Sequence, residues 1–391
     1  PSSARWRNKG VQKTSYLTIN GRLEIGRRIY WSVEAGSVAP VDIWLGITQD
    51  RYSPGVREMF CREAMGSDFR QAAEDMERVG QIRLAPEMLR QVVEAEASHA
   101  AQQQRAGTLP PGWTAEDCRS VLAGVSCLIT GADGVKVPLV TEAEKAKRRA
   151  LRRRRGPKVR RRRRRMGRGA DQAYKEFKIV AFYDPSKEHQ YAVGTSGDHR
   201  VLGRLMRREG RRVQIDKADV KYSVTDGADW IRRQYQQQLP MLDANVLDYY
   251  HLREHVILAS YRVFGEATPA AQAWRERMTG VAMEQGPVAF LEEVGQLRRS
   301  LRSSVKRRAL ESLQTYVGER VEMLQYPQFK ARGFDIGSGP TEAFCKTLTA
   351  RLKGPGMRWD KLNAEGMMAL ASLRASRLWT QYWQIRREAA A

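Results

Sequence analysis

Residues 219–240, DVKYSVTDGADWIRRQYQQQLP, contain the most informative junction in the chain. The segment predicts a strand, a tight turn at Asp226 and Gly227, and a helix that ends at Pro240. In open α/β sheets, sites are built at the carboxyl ends of strands, and Asp226 is placed in that way. The segment therefore predicts a sheet flanked by helices, with an acidic residue at the edge where sites form.

The elements around this segment follow the order of a ribonuclease-H-like core. Three strand-like stretches precede it, at 125–140, 175–184 and 189–196, and a helix with one apolar side comes between them and the segment. A further strand and helix follow, the chain from 252 to 331 has helical composition, and a last helix comes near the end. We therefore expect an α/β fold, with a ribonuclease-H-like catalytic core interrupted by an all-helical insertion.

The N-terminal part of the chain predicts strands followed by helices. Residues 15–50 predict short strands with a hairpin turn at Asn20-Gly21. Two of the helices predicted over 53–106 are joined by a short glycine-containing turn, which is compatible with a helix-turn-helix or an ordinary helical hairpin. We predict five regions along the chain. They are a β-rich region at 1–52, a helical region at 53–115 that is a candidate for DNA binding, a first part of the core at 116–251, the insertion at 252–331 and a second part of the core at 332–391.

The net charge points to a polyanionic partner. The chain has 391 residues, with 68 Lys and Arg against 44 Asp and Glu, which gives a formal net charge of +24. Nucleic acid is the first candidate for such a chain and an anionic membrane surface the second. We expect no membrane association, since no apolar run reaches about 18 residues and no signal-peptide pattern stands at the start.

The cysteine pattern argues against a disulfide framework or a zinc cluster. Cys61, Cys118, Cys127 and Cys345 are scattered, and no Cys-x-x-Cys pair occurs. A reducing cytoplasm fits this usage.

The positive charge is concentrated in an Arg-rich run at 145–168. Sixteen of its 24 residues are Lys or Arg, and none is acidic. Such a run repels itself, so we expect a loop that is disordered when unbound. It is either a solvated loop or a contact to the DNA backbone, where each cation that neutralises a phosphate releases a counterion. We favour the DNA contact, with candidate residues Arg152, Arg153, Arg154, Arg155, Arg161, Arg162 and Arg163.

Three acids are candidates for a common site. Asp133 lies at the end of an apolar strand-like stretch, Asp226 follows the next clear strand, and Glu342 falls in the first turn of a helix. Taken singly, each has a structural explanation: a turn, a helix cap and a favourable interaction with the helix dipole. Taken together they form an all-oxygen site suited to Mg²⁺ or Mn²⁺, and two such ions about 4 Å apart catalyse phosphoryl transfer.

Three motifs resemble bacterial insertion-sequence transposases of the DDE class, and most closely the ISKra-type group. They are TDGADWI at 225–231, LDYYHLREH at 247–255 and GSGPTEAFCKTLTARLKGPGMRW at 337–359. Upstream, GSVAPVDIWLGI, YSPGVREMF and YKEFKIVAFYD are similar to the same group, so the resemblance covers most of residues 20–380.

The resemblance implies cleavage and strand transfer of the element's own DNA ends. It implies that Asp133, Asp226 and Glu342 hold two Mg²⁺ or Mn²⁺ ions, and that double-stranded DNA with terminal inverted repeats is the substrate of a homo-oligomer. Asp248 and His251 match the family's Asp-x-x-His signature. His251 would then lie near the scissile phosphate, or else it is a helix-entry histidine hydrogen-bonded to backbone.

Two departures from the family pattern qualify these assignments. Relatives often carry a cysteine pair near the first Pro-Asp motif, and YWSVEAGSVAPVD at 30–42 has none, so no zinc is expected. The Arg-rich run is longer than the resemblance leads us to expect, which leaves Asp184 as an alternative to Asp133 for the first aspartate.

Basic residues follow Glu342 and are expected to bind the DNA that is cut: Lys346, Arg351, Lys353 and Arg358. Trp359 either stacks on an extruded base or belongs to the core. Two other functions remain open from sequence. One is an inactive, domesticated DNA-binding protein, and the other is a ribonuclease-H-type nuclease.

Overall fold

A computed structural model describes residues 5–44, 51–120, 124–155, 175–354 and 357–388. The fold is mixed α/β. Its described residues belong to two compact units, one drawn from 1–109, 137–175 and 348–391 and the other from 110–136 and 176–347. Each unit is described by itself below, as unit 1 and unit 2.

The described residues contain eight strands: β1 Arg7–Thr18, β2 Gly21–Ser32, β3 Gly36–Val38, β4 Cys127–Val137, β5 Lys175–Tyr183, β6 Gln190–Thr195, β7 Val220–Thr225 and β8 Ala244–Leu247. The α-helices of the same residues are α1 Pro40–Trp44, α2 Pro54–Gly66, α3 Phe69–Arg78, α4 Pro86–Ala106, α5 Glu142–Arg155, α6 His199–Arg212, α7 Asp229–Gln238, α8 Tyr249–Phe264, α9 Pro269–Glu284, α10 Pro287–Ser300, α11 Ser304–Gly318, α12 Tyr326–Ala331, α13 Gly339–Lys353, α14 Lys361–Ala375 and α15 Trp379–Glu388.

Unit 1 begins with an antiparallel sheet of strand order β1-β2-β3. Thr18 pairs with Gly21, so the predicted hairpin is confirmed, but its turn residues are Ile19 and Asn20, one position earlier than Asn20-Gly21. Gly21 has a φ of +107°, which suits glycine because it has no Cβ. A register shift between Asn8 and Val11 marks a bulge in β1.

The helices of unit 1 begin at side-chain caps and pack through small residues. The Ser53 hydroxyl accepts a hydrogen bond from the Val56 amide at the start of α2, and the Asp68 carboxylate caps α3 in the same way. Helices α4 and α14 approach closely at Gly366, where a Cβ would lie 2.9 Å from the Cβ of Ala97. Helices α3 and α4 are joined by residues 79–85, a longer link than the turn of about 3–4 residues in a helix-turn-helix. A DNA-binding role for them stays a prediction.

The sheet of unit 2 places the candidate site. Its strand order is β6-β5-β4-β7-β8, with β4 in the centre. Strand β7 runs parallel to both β4 and β8, while β5 and β6 form an antiparallel hairpin. Because parallel neighbours end at the same edge, the residues that follow β7 and β8 meet beside the carboxyl half of β4.

Helices α8 to α12 fill most of residues 249–331, as the composition predicts. Helix α8 packs against α9 and α11, and α10 packs against α11. The short 3₁₀ helix Val321–Leu324 packs against β8, so this helical segment is attached to the sheet at its β8 side.

The Arg-rich run is not a loop over its first half, and that prediction is wrong for residues 145–155. These residues belong to α5, which begins after Thr141, where the hydroxyl accepts a hydrogen bond from the Glu144 amide. Ala, Leu, Lys and Arg all have high helix propensity, and acidic residues at the first turn favour the helix dipole. An ion pair of 2.7 Å between Lys145 and Asp360 also holds α5. Residues 156–168 lie outside the described part of the chain.

Within the described ranges, none of the helices has the length and apolar character that a membrane crossing requires. All four cysteines are free thiols. Three of them are buried, and Cys127 is partly exposed.

Candidate active site

Asp133 stands inside β4, not at its end as predicted. Strand β4 continues to Val137 because Val135 and Val137 alternate into the core. The Asp133 carboxylate accepts a 2.5 Å hydrogen bond from the amide of Gly134. Burial raises the pKa of Asp133, and the Asp226 carboxylate raises it further. This pKa is lowered in turn by the Gly134 amide, the Cys345 thiol and His251.

Asp226 directly follows β7, the parallel strand next to β4. Thr130 pairs with Ser223, and each aspartate comes three residues later along its own chain. After burial, the negative charge of Asp226 is a cause of the raised pKa of Asp133, as expected for acids beside one another on neighbouring strands. The sheet therefore brings together two of the three acids predicted from sequence.

Helix α13 brings Glu342 to the same strand. A Cβ on Gly131 would lie 1.9 Å from the Oγ1 of Thr341, so the start of α13 packs directly on β4. One turn later, the Cys345 thiol donates a hydrogen bond to Asp133. Glu342 follows Thr341, and its carboxylate lies 3.4 Å from Ser338 Oγ and 3.8 Å from Lys346 Nζ.

Asp248 links the Gly-Ser-Gly-Pro segment to α8. Its Oδ1 accepts hydrogen bonds from the amides of Tyr250 and His251 at 2.6 and 3.2 Å, which caps the helix. Its Oδ2 accepts from the Ser338 amide at 2.6 Å and also from the Ser338 hydroxyl. Asp248 is fully buried, so it joins these two segments from inside the fold.

His251 has a partly exposed imidazole at the site. Its electrostatic effect on Asp133 places the ring within interaction range of that carboxylate, and its Nδ1 lies 3.7 Å from Glu254. The hydrogen bond to Asp248 is made by the main chain of His251 and not by its ring. The ring therefore stays available to a ligand.

Two residues of the helical segment hold the Asp226 turn, and sequence reasoning missed both. Arg320 Nε donates to the Gly227 carbonyl at 2.9 Å, and its guanidinium lies 4.3 Å from the centre of the Tyr316 ring. The Tyr316 hydroxyl lies 3.5 Å from the Asp226 carbonyl oxygen. Gly227 has a φ of +70°, and a Cβ there would lie 3.1 Å from Arg320 Nε. No sequence signal identifies this pairing, because the partners are about 90 positions apart.

His255 packs against the residues that hold the Asp226 turn. His255 stacks on Tyr316 with ring centroids 3.6 Å apart. Burial lowers the pKa of His255, and the nearby charges of Arg320 and His251 lower it further. The ring is therefore favoured in its neutral form, which suits close stacking beside a guanidinium.

Asp184 is not part of this site. It follows β5, is 5% exposed, and accepts hydrogen bonds from the His189 amide at 2.9 Å and from Ser186. Burial and the charge of Asp335 raise the pKa of Cys127, the first residue of β4, and the charge of Asp184 adds to this effect. Asp133 lies six residues further along the same strand, roughly 20 Å from Cys127. The geometry therefore favours Asp133 as the first aspartate.

The basic residues predicted to bind DNA divide into exposed and buried ones. Lys346 is 81% exposed, and Lys353 and Arg358 are exposed as well. Arg351 is buried, and the prediction that it binds DNA is contradicted by its contacts. Its Nε donates to the Ala64 carbonyl at 2.6 Å, and its guanidinium lies 5.1 Å from the ring centres of both Phe69 and Trp359.

Trp359 belongs to the core of unit 1. It is 4% exposed and packs edge-on against Phe69, so it is not presented to an extruded base. The candidate DNA contacts of the Arg-rich run lie outside the described part of the chain. This holds for the side chains of Arg152, Arg153, Arg154 and Arg155, and for the whole of Arg161, Arg162 and Arg163.

The carboxylates fit a divalent cation in part. Asp133 and Asp226 repel each other in a partly buried position, and a bound cation would relieve that repulsion. Among the described residues, however, no group of three or more His, Cys, Asp or Glu side chains is arranged to hold one ion. Glu342, held by Ser338 and Lys346, would have to turn toward the aspartates to become a third ligand.

Comparison with known proteins gave no match, either to a protein-family model or to a curated protein sequence.

Proposed function

We propose that this chain is a metal-dependent DNA strand-cleavage and strand-transfer enzyme of the DDE transposase class. The observation that carries the proposal is the position of two acids at one edge of the sheet: Asp133 is in the central strand β4, and Asp226 directly follows the parallel strand β7 beside it. The start of α13, which bears Glu342, packs on the same central strand at Gly131. Carboxylate oxygens are the ligands that Mg²⁺ and Mn²⁺ prefer, and such ions also bind phosphate oxygens, which fits a basic chain that contacts DNA.

The strand order supports a ribonuclease-H-like core for this function. The first strand of the sheet is central, an antiparallel hairpin lies on one side, and two parallel strands lie on the other. The second aspartate then follows the first of these parallel strands, at the edge where α/β sheets build sites.

The residues divide the chemistry between them. Asp133 and Asp226 would hold Mg²⁺ or Mn²⁺, and Glu342 would complete the ligand set. Two such ions, when bound, activate the attacking hydroxyl and stabilise the leaving oxygen of the scissile phosphate. His251 lies on the exposed side of this site and can donate a hydrogen bond to a phosphate oxygen. The hydrogen bonds from Ser338 to Asp248 tie the segment before α13 to the start of α8, and Glu342 would complete the site by a change of its side-chain conformation.

Double-stranded DNA is the proposed substrate. Lys346, Lys353 and Arg358 offer exposed cations, and the Arg-rich run would add contacts that carry no sequence information. Strand transfer joins two DNA ends, so we propose that the chain acts as a homo-oligomer on them. The bacterial cytoplasm, where the chromosome lies, is the proposed location.

The test is cleavage of a supercoiled plasmid that carries the DNA flanking the gene, with Mg²⁺, Mn²⁺ or EDTA. We expect Asp226→Asn and Glu342→Gln each to lower the cleavage rate by at least about 100-fold and to leave DNA affinity nearly unchanged. Asp184→Asn is the matched control, because it alters a buried aspartate of the same sheet that lies remote from the site. We expect this variant to cleave at the wild-type rate.

The alternatives give different results in the same assay. Wild-type rates in both variants would contradict the proposed triad. Tight binding without cleavage in either metal would indicate an inactive DNA-binding protein. Cleavage of an RNA–DNA hybrid in place of duplex DNA would indicate a ribonuclease-H-type nuclease.

A further inference from the structure

Strands β1 and β2 form a long two-stranded ribbon. Each strand has 12 residues, so the ribbon is roughly 40 Å long. Residues 7–13 of β1 are all exposed, and so are most residues of β2 up to Arg28. An isolated two-stranded hairpin is only marginally stable in water. A partner that covers the exposed part of the ribbon would therefore stabilise it.

One face of the ribbon is covered within unit 1 around Thr14 and Tyr16. Thr14 and Tyr16 are buried on this face, and the Tyr16 hydroxyl donates a hydrogen bond to Asp42 of α1. Arg27, on the same face, forms an ion pair with that carboxylate. Helix α1 therefore fixes the orientation of the ribbon and leaves the opposite face to the solvent.

The opposite face is basic with a small apolar centre. Val11 pairs with Arg28 across the strands, Lys13 pairs with Gly26, and Arg22 stands two pairs nearer the turn than Glu24. These cations are exposed, and Val11 is 64% exposed. Between Arg5 and Ser32 the sequence has seven Lys or Arg and one acid, Glu24.

Part of this charge also suits an edge strand. Lysine on an edge strand blocks association with another sheet, a role that fits Lys13 on β1. Arg22 and Arg28 stand on β2, which β3 pairs only at residues 30–32, so β2 has a free edge beside them as well. Their side chains share one face of the ribbon with Lys13, and edge protection does not require this shared face.

We infer that the exposed face of the β1–β2 ribbon is a docking surface for duplex DNA. A two-stranded ribbon fits the B-DNA major groove, which is about 12 Å wide. Lys13, Arg22 and Arg28 would contact the phosphates, and Val11 would face the base edges. The inference rests on the proposed function in that DNA is the partner, but it does not use the carboxylates.

The experiment measures binding of the full chain to a fluorescent duplex of about 30 base pairs, in EDTA, over a range of salt concentrations. The ribbon variant is Lys13→Gln with Arg22→Gln and Arg28→Gln. Its matched control changes three exposed cations outside the ribbon: Lys187→Gln, Lys217→Gln and Arg374→Gln. A charge-preserving variant, Lys13→Arg with Arg22→Lys and Arg28→Lys, tests whether charge alone is needed.

We expect the ribbon variant to bind at least about 10-fold more weakly at 0.1 M salt and to lose up to about 2.7 from the log–log salt slope. The control and charge-preserving variants should keep the wild-type slope. An unchanged slope in the ribbon variant would overturn the inference, as would a loss of self-association at constant DNA affinity, which would assign the face to a second copy. Because EDTA prevents cleavage, a failure of the ribbon does not depend on whether the triad is catalytic. If the ribbon variant fails to fold, the single variant Arg28→Gln carries the same test, with an expected slope change of about 0.9.

Discussion

The guanidinium of Arg320 fixes the backbone on which Asp226 stands. It bonds to the Gly227 carbonyl, lies over Tyr316, and approaches the Asp229 carboxylate at 3.4 Å. Lysine has a single point charge and cannot reproduce these directed contacts. Arg320 acts through Asp226 and is therefore a positioning residue of the proposed site.

We expect Arg320→Lys to lower the rate of DNA cleavage by about 10- to 100-fold, because a small displacement of a reacting group has effects of this size. The variant should also need more Mg²⁺ for half its maximal rate, while DNA affinity stays unchanged. Arg232→Lys is the control, since Arg232 also pairs with Asp229, at 3.1 Å, but has no bond to Gly227. An equal loss in both variants, or a loss that follows the melting temperature alone, would contradict the positioning role.

At the scale of elements, the sequence predicts those turns, strands and helices that depend on residues close together in the chain. The hairpin near Asn20-Gly21 follows from a turn dipeptide, and the strand, turn and helix around Asp226 follow from spacing. Asp133 was placed at a strand end because Asp-Gly usually marks a turn, but Val135 and Val137 continue the strand through burial. The local Asp-Gly pattern favours a turn there, whereas burial of the two valines favours a strand, and the strand forms.

Contacts between distant parts of the chain could not be predicted in this way. Arg351 stood among exposed cations in a basic helix, and its burial depends on Ala64 and Phe69, nearly 300 residues earlier. Arg320 and Gly227 are likewise joined only by the fold. A single sequence carries the residue types of such pairs but not the pairing.

The part of the Arg-rich run that follows α5 can be tested for DNA contact by deletion. Deleting residues 156–168 removes eight Lys or Arg and leaves α5 with its ion pair to Asp360. If all eight cations contact phosphates, the log–log salt slope of DNA binding falls by about 7. A Gly-Ser linker of the same length in place of the deleted residues is the control for chain connectivity. A slope equal to that of the wild type would show that this segment does not contact DNA.

At the scale of the whole molecule, the candidate site is a source of instability. Burial and the neighbouring Asp226 raise the pKa of Asp133, so the folded protein holds the proton of this carboxyl more tightly than the unfolded chain does. Below the ordinary pKa of an aspartate the proton is bound in both states and has no net effect, and as pH rises through the raised folded pKa the ionised group destabilises the fold.

We therefore expect Asp133→Asn to raise the free energy of unfolding at neutral pH by about 0.5–2 kcal/mol while cleavage is lost. The gain should shrink as pH falls through the raised pKa of Asp133, because the protonated wild-type side chain then resembles asparagine. Mg²⁺ should raise the melting temperature of the wild type, since it binds the folded state and relieves the repulsion, and should do so less in Asp133→Asn. Thermal unfolding from pH 4 to pH 8, with and without Mg²⁺, measures all three effects, and Asp184→Asn serves as the control. A destabilised Asp133→Asn at neutral pH would show that Asp133 supports the fold, and the interpretation of the carboxylate pair as a strained cation site would fail.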